Sequence, residues 1–156
     1  MVRRPAKHNF FRGDSLLTYD QDTRRAIRAL AGKVDTTACA RVWEAALAAK
    51  PTGPAAWLHG DVAPSNLLVR DGRLSAVIDF GGMAVGDVAC DLTIAWTLFT
   101  GLPRRVFRDR VAHDDATWAR ARGWTLWKAL ILIAWKSGTT GAVADAGRVL
   151  DAVLAE

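Results

Sequence analysis

The sequence predicts an α+β domain that is mostly helical and contains one small β-hairpin. Hydrophobic residues make up 51% of the 156 residues and charged residues 24%, which is typical of a globular domain that buries a core. Apolar residues recur at helical spacing over most of the chain. One Asp-Gly pair, Asp71-Gly72, separates two short apolar runs and predicts a tight hairpin turn. We see no internal repeat or dividing linker, and expect residues 1–156 to form a single domain.

The region before the hairpin predicts a loop followed by two helices. The first helix can be capped by Asp20 or Asp22 and ends at Gly32, because glycine suits the left-handed conformation that follows many helices. The second helix can be capped by Asp35 or Thr36 and has a mostly apolar face. The expected bounds are 1–18 for the loop, about 20–31 for the first helix, and about 36–50 for the second, which ends at the Pro51-Thr52-Gly53-Pro54 loop.

The hairpin prediction also fixes which side chains share a face. A two-residue turn pairs Arg70 with Arg73. Counting back along both strands then places Asn66 opposite Val77. Side chains alternate along a strand, so Asp79 points to the same face as Asn66 and is its diagonal neighbour. We therefore expect these two oxygen-bearing side chains to converge on one cation.

The region after the hairpin predicts further helices. We expect most of the seven tryptophans to lie on apolar helical faces in the core. The long helical region can bend at Gly123. The expected helices span about 87–100, 103–111, 114–135 and 142–154.

The distribution of charge argues against a nucleic-acid-binding protein. The formal net charge is +5, but the stretch 57–100 has five aspartates and two arginines and is therefore −3, while the remainder is +8. The basic residues are scattered and do not alternate with aromatic residues as in a stacking platform. We interpret them as solvated helix faces. An acidic centre in a basic chain better suits a metal ion or a cationic ligand.

Cysteine usage and hydropathy predict a reduced, cytoplasmic protein. Cys39 and Cys90 lie in apolar helical patterns without the spacing of a disulfide framework or a zinc site. The start of the chain leads into no apolar run typical of a signal peptide. The longest apolar stretch, 124–135, is too short for a membrane span and contains Lys128. We expect no membrane partner.

Three polar residues have the spacing of a phosphoryl-transfer site. Asp61 is followed five residues later by Asn66, and Asp79 follows the hairpin. Such chemistry needs a carboxylate that orients or accepts the attacking hydroxyl, together with oxygen ligands for Mg²⁺. We predict that Asp61 is the catalytic base and that Asn66 and Asp79 hold the metal and its nucleotide. Residues 57–82 thus contain the catalytic loop and the metal-binding hairpin.

Neighbouring polar residues are assigned supporting roles. We predict that His59, two residues before Asp61, orders the loop. Asp87 can cap the helix that follows it. Asp91 lies in the first turn of that helix, where its carboxylate can accept backbone donors from a neighbouring loop.

At these positions the sequence resembles the aminoglycoside phosphotransferase family, whose fold is similar to that of protein kinases. The resemblance rests on three motifs: His59-Gly60-Asp61 with Asn66, Ile78-Asp79-Phe80-Gly81, and Gly86-Asp87 with Asp91-Leu92. It implies that Asp61 faces the substrate hydroxyl, that Asn66 and Asp79 hold Mg²⁺, and that Asp91 braces the catalytic loop. It covers nearly the whole chain and implies a kinase-like C-terminal lobe.

The resemblance also implies a β-rich N-terminal lobe, which we do not find in the sequence. The 58 residues before His59 show no Gly-rich strand-turn-strand and no lysine in the expected context. We therefore expect an ATP- or GTP-dependent phosphotransferase lobe, weak or inactive alone, that acts on a hydroxyl of a small molecule such as an aminoglycoside-like antibiotic. Its partner would be the missing lobe or a second copy. The alternative is a non-catalytic, kinase-like module that binds a ligand or partner.

Overall fold

The computed structural model of the protein describes residues 4–135 and 140–156. The prediction of a mostly helical α+β domain with a small hairpin is confirmed. The helices are α1 (Asp20–Ala29), α2 (Thr36–Ala48), α3 (Ile94–Thr97), α4 (Gly101–Val111), α5 (Asp115–Trp135) and α6 (Thr140–Leu154). The strands are β1 (Ala56–Leu58), β2 (Leu67–Arg70), β3 (Arg73–Val77) and β4 (Ala84–Gly86). Within the described residues, no helix is long and apolar enough to cross a membrane.

Helix α5 is the centre of the core and packs against α1, α2 and α6. It is continuous through Gly123, so the bend that the sequence allowed there does not interrupt the helix. A Cβ at Gly123 would collide with the side chain of Ala46 on α2, so this glycine lets the two helices approach closely. Trp43 and Trp124 are fully buried, as expected, whereas Trp57 is 59% exposed and does not contribute to the core.

The hairpin has the turn that its sequence predicts. Asp71 and Gly72 both have positive φ, +51° and +73°, which is the type I′ pattern that matches the twist of the flanking strands. Arg70 pairs with Arg73 across the turn. The register next to the turn is therefore as expected.

The register at the open end of the hairpin is not as predicted. An irregularity between Leu68 and Val69 shifts the pairing by one residue, so Leu67 lies opposite Val77. The pairing of Asn66 with Val77 was wrong, because a bulge adds a residue that an uninterrupted count does not include. Instead, the N–H of Ile78 donates to the carbonyl oxygen of Asn66 at 3.0 Å.

Two further differences lie on either side of the hairpin. Strand β1 pairs antiparallel with β4 in a second sheet, which is too short to be recognised in the sequence. Residues Val88–Thr93 form a 3₁₀ turn, and only the short helix α3 follows it. The prediction of a helix over 87–100 was therefore wrong in type for its first half. The tighter turn begins where the Asp87 carboxylate accepts the N–H of Ala89.

Candidate active site

The Asp91 carboxylate holds the loop after β1 through two backbone hydrogen bonds. Its two oxygens accept the backbone N–H groups of His59, at 2.6 Å, and of Gly60, at 2.9 Å. Burial raises the pKa of Asp91 above its ordinary value, although both hydrogen bonds act in the opposite direction. One side chain thus fixes two successive peptide units immediately before Asp61.

Gly60 is required at its position for two independent reasons. Its φ of +85° lies in the left-handed region, which residues with a Cβ rarely adopt. A Cβ there would also collide with the backbone carbonyl oxygen of Gly82, in the segment that follows Asp79. The same carbonyl accepts a hydrogen bond of 3.2 Å from the buried side chain of Asn9. The loop after β1, the segment 80–82 and the N-terminal loop therefore meet at one point.

Both nitrogens of the His59 imidazole form hydrogen bonds to backbone groups. Its Nδ1 accepts the N–H of Asp61 at 3.3 Å, so Nε2 carries the proton and donates to the carbonyl oxygen of Ile78 at 2.9 Å. The ring also contacts that of Phe80, with centroids 4.6 Å apart. These contacts join the loop to the end of β3 and leave neither ring nitrogen for acid–base chemistry.

The carboxylate of Asp61 faces a different group with each oxygen. Oδ1 lies 3.0 Å from the ammonium of Lys128 on α5, and Oδ2 lies 3.5 Å from the side-chain nitrogen of Asn66. Burial acts to raise the pKa of Asp61, but the charge of Lys128, its hydrogen bond to the carboxylate and the charge of Arg12 outweigh it. The net pKa lies below its ordinary value, so the carboxylate is ionised at neutral pH and can accept a hydrogen bond from a hydroxyl.

Asn66 and Asp79 offer oxygen atoms of the kind that Mg²⁺ binds. Asn66 is buried, and its side-chain nitrogen donates to the carbonyl oxygen of Asp61 at 2.9 Å. That bond fixes the orientation of the amide and leaves Oδ1 as the atom available to a cation. Asp79 is exposed and has a φ of +64°, a conformation that aspartate tolerates better than most residues.

These residues fit magnesium better than a metal that needs a complete protein cage. Across residues 4–135 and 140–156, no group of three or more His, Cys, Asp and Glu could hold a metal ion. Mg²⁺ is often bound by one or two carboxylates and completes its octahedron with water and phosphate oxygens. The amide and carboxylate of Asn66 and Asp79 match that donor set.

Asp87 is a structural residue. Its carboxylate forms a bidentate ion pair with Arg120 of α5, at 2.6 and 3.1 Å, in addition to accepting the N–H of Ala89. Arg120 is 6% exposed and also donates to the carbonyl oxygen of Lys50 at 3.0 Å. The pair ties the 88–93 turn, and with it Asp91, to the central helix.

A cavity of about 1070 Å³ lies on another part of the surface, between the N-terminal loop and the loop before β1. Asp87 and Arg120 line it, but their charges are already paired. Asp61, Asn66 and Asp79 do not line it. We therefore place the candidate active site at the open surface around Asp61.

Three residues of the site were not recognised in the sequence. In the sequence, Lys128 stands out only as a charge within the apolar stretch 124–135. A cation in such a stretch is the signal that could have identified it. Arg12 lies over the Trp127 ring, 5.0 Å from its centroid, and acts on Asp61 through its charge. Asn9, which is 1% exposed, carried no sequence signal beyond its polarity.

The comparison with family models agrees with the motifs. Residues 2–124 match the model of a family described as "Phosphotransferase enzyme family". Among solved structures, the chain is similar to the ADP-bound aminoglycoside phosphotransferase APH(2'')-Ib, with 19% sequence identity and a TM-score of 0.45. The match covers 85% of this chain and 50% of the other, so this chain spans about half the length of that enzyme. A search of curated proteins found no similar sequence.

Proposed function

The chain belongs to the phosphotransferase enzyme family, and on that premise we propose that it transfers the terminal phosphoryl group of ATP or GTP to a hydroxyl of a small molecule. The observation that carries the proposal is the ionised Asp61 carboxylate, held beside the fixed amide of Asn66 on a loop that Asp91 braces. An aminoglycoside-like acceptor is the candidate that the sequence resemblance supplies.

Each residue has a defined role in this proposal. Asp61 orients the acceptor hydroxyl and accepts its proton as the new oxygen–phosphorus bond forms and the nucleoside diphosphate leaves. Asn66 and Asp79 hold Mg²⁺, which, when bound, neutralises the charge on the phosphate oxygens. His59 and Asp91 act through the backbone, by holding the peptide units on either side of Gly60.

We further propose that nucleotide binding by this chain alone is weak. Before β1, the described residues 4–55 contain no strand and therefore no Gly-rich strand-turn-strand to cover the phosphates. Much of the catalysis of phosphoryl transfer comes from positioning and neutralising those phosphates. A β-rich lobe, supplied by further residues or by another polypeptide, would provide this part of the site.

Calorimetric titration with magnesium and ATP or GTP tests the metal site. Asp79→Asn keeps the size of the side chain and the tolerance for positive φ but removes the charge. We expect it to weaken binding of the magnesium nucleotide at least tenfold, or about 1.4 kcal/mol. Asp109→Asn, an equal loss of charge on the exposed surface of α4, is the matched control and should leave binding unchanged. Equal affinities of the wild-type protein and Asp79→Asn would contradict the proposed metal site.

A second candidate function is a non-catalytic module that binds a partner. It is favoured by the apolar side chains that the hairpin region exposes, including Val69 at 66%, Leu74 at 60% and Phe80 at 51%. Exposed apolar surface of this kind marks an interface with another lobe or a second copy. Absence of magnesium-nucleotide binding in both wild type and Asp79→Asn, together with self-association in sedimentation experiments, would favour this candidate.

A further inference from the structure

Asn9 is a buried polar residue that has no part in the proposed reaction. It is 1% exposed, and its side chain forms three hydrogen bonds. The oxygen accepts the N–H of Ala6 at 2.9 Å, and the nitrogen donates to the carbonyl oxygens of Arg12, at 3.1 Å, and Gly82, at 3.2 Å. Two of these bonds lie within the N-terminal loop, whereas the third reaches the turn that follows Asp79 in the chain.

The turn after Asp79 is short and is held by few hydrogen bonds. Residues Phe80–Gly82 form a single 3₁₀ turn, in which the N–H of Met83 donates to the carbonyl oxygen of Phe80 at 3.1 Å. Among the described residues, Asn9 is the only one whose side chain hydrogen-bonds to this turn. Because a hydrogen bond is directional, the amide of Asn9 fixes where the turn lies relative to the N-terminal loop.

The conformation of Asp79 depends on the structure on both sides of it. Its φ is +64°, and such a left-handed conformation persists where the surrounding structure enforces it. On one side, Ile78 is fixed through its N–H, which donates to Asn66, and through its carbonyl oxygen, which accepts from His59. On the other side is the turn, and Oδ1 of Asp79 lies 3.5 Å from the position that a Cβ on Gly81 would occupy. The carboxylate therefore lies alongside the turn, and its direction depends on where the turn is held.

We propose that Asn9 is a positioning residue for the metal ligand Asp79. Its bond to Gly82 holds the turn 80–82, so that Asp79 keeps the left-handed conformation and the carboxylate direction with which it binds a divalent cation. The inference rests on the proposed function for the metal, but the conformation of Asp79 can be observed without metal or nucleotide. The N-terminal loop is then part of the metal site, although Asn9 contributes no ligand to it.

Three variants separate this role from a general loss of stability. Asn9→Ala removes all three bonds. Asn9→Asp keeps an oxygen that can accept the N–H of Ala6, but its carboxylate has no N–H group to donate to Gly82. Gly32→Ala is the control, because it replaces a glycine of positive φ that has no atom within 4 Å of the added Cβ. Thermal unfolding verifies that each variant is folded.

The first measurement is NMR spectroscopy of the full chain without metal. At positive φ the amide and α protons of a residue lie close together and give a strong nuclear Overhauser effect, which Asp79 should show in the wild-type protein and in Gly32→Ala. Both Asn9 variants should weaken it. The amide of Met83 should also exchange with solvent about tenfold faster relative to that of Ile78, because the turn has lost a restraining hydrogen bond.

The second measurement is titration of the same proteins with Mn²⁺, a paramagnetic cation that, like Mg²⁺, prefers oxygen ligands. In the wild-type protein Mn²⁺ should broaden the amide signals of Asn66 and Phe80, and Asp79→Asn should reduce this broadening. Asn9→Ala should need about tenfold more Mn²⁺ for the same broadening, the usual effect of losing a partner that orients a ligand. Gly32→Ala should need no more than the wild-type protein.

The possible failures distinguish the role of Asn9 from the metal site itself. Wild-type Overhauser effect and exchange in both Asn9 variants would refute the role of Asn9, as would equal changes in Gly32→Ala. A changed conformation with unchanged Mn²⁺ broadening would also refute it, because the turn would then not orient a ligand. Absence of Mn²⁺ broadening near Asp79 in the wild-type protein would refute the proposed metal site, and with it the role of Asn9 in metal binding. None of these measurements uses turnover, so none depends on nucleotide affinity or on a further lobe.

Discussion

Replacing Gly60 with alanine should destabilise the protein strongly, because the glycine meets two requirements at once. Its φ of +85° is disfavoured for a residue with a Cβ, and the added Cβ would collide with the carbonyl oxygen of Gly82. The left-handed conformation costs about 1–2 kcal/mol for such a residue. Overpacking against a neighbour that cannot easily move costs about 1–3 kcal/mol. We therefore expect a loss of about 2–5 kcal/mol in the free energy of unfolding.

Two other glycines separate these contributions. Gly32 has a φ of +76° and no atom near the position of its Cβ, so Gly32→Ala should show only the conformational cost. Gly86 has no positive φ, but its added Cβ would meet the carbonyl oxygen of Gly13, so Gly86→Ala should show only the steric cost. Gly60→Ala combines both costs. Its loss in the free energy of unfolding should therefore approach the sum of the losses in Gly32→Ala and Gly86→Ala.

Urea denaturation monitored by tryptophan fluorescence measures all three losses. With a slope of about 2 kcal/mol per molar urea, the expected shift of the Gly60→Ala midpoint is about 1–2.5 M. The reasoning would be refuted if Gly60→Ala were no less stable than Gly32→Ala, since the close approach of Gly60 to the carbonyl oxygen of Gly82 would then impose no constraint.

Two further predictions concern the ion pairs of α5. Arg120→Met should lower the free energy of unfolding by about 3–5 kcal/mol, because it leaves the Asp87 carboxylate without its buried partner, and adding Asp87→Asn should recover part of the loss in urea denaturation. Lys128→Met should raise the pKa of Asp61 in a carboxyl NMR titration, because it removes the charge and the hydrogen bond that counteract the effect of burial. Since the wild-type pKa lies below 3.8, the Lys128 contact stabilises the folded state above that value, and this stabilisation is lost as the pH falls through the lowered pKa. An unchanged Asp61 pKa would show that the ion pair is not formed in solution.

The parts of the fold that the sequence predicted are those whose signals are local. The Asp71-Gly72 turn follows from two residues that tolerate positive φ, and it was placed correctly. The β1–β4 pairing was missed because strands of three residues carry too little pattern to be identified. The two strands are also far apart in the chain, so no turn signal links them. The bulge after Leu68 was missed because the run carries no glycine that would mark it.

The candidate site shows the same division between local and distant information. The spacing of Asp61, Asn66 and Asp79 is readable because the hairpin lies between them. Lys128 lies 67 residues beyond Asp61, and only the packing of α5 against the rest of the domain brings the two together. Charge counted along the sequence therefore treats Asp61 as a free carboxylate, whereas in the fold it is paired with Lys128.

Side chains of this chain position Asp61 within the described residues 4–135 and 140–156. The Asp91 carboxylate accepts the N–H groups of His59 and Gly60, just before Asp61. His59 links the loop to Ile78, and the side-chain nitrogen of Asn66 donates to the carbonyl oxygen of Asp61. The acceptor side of the site should therefore be formed in the isolated chain, even where nucleotide affinity is weak. Acceptor binding and the pKa of Asp61 can thus be measured without turnover, and a failure of either measurement would count against the site itself rather than against a missing lobe.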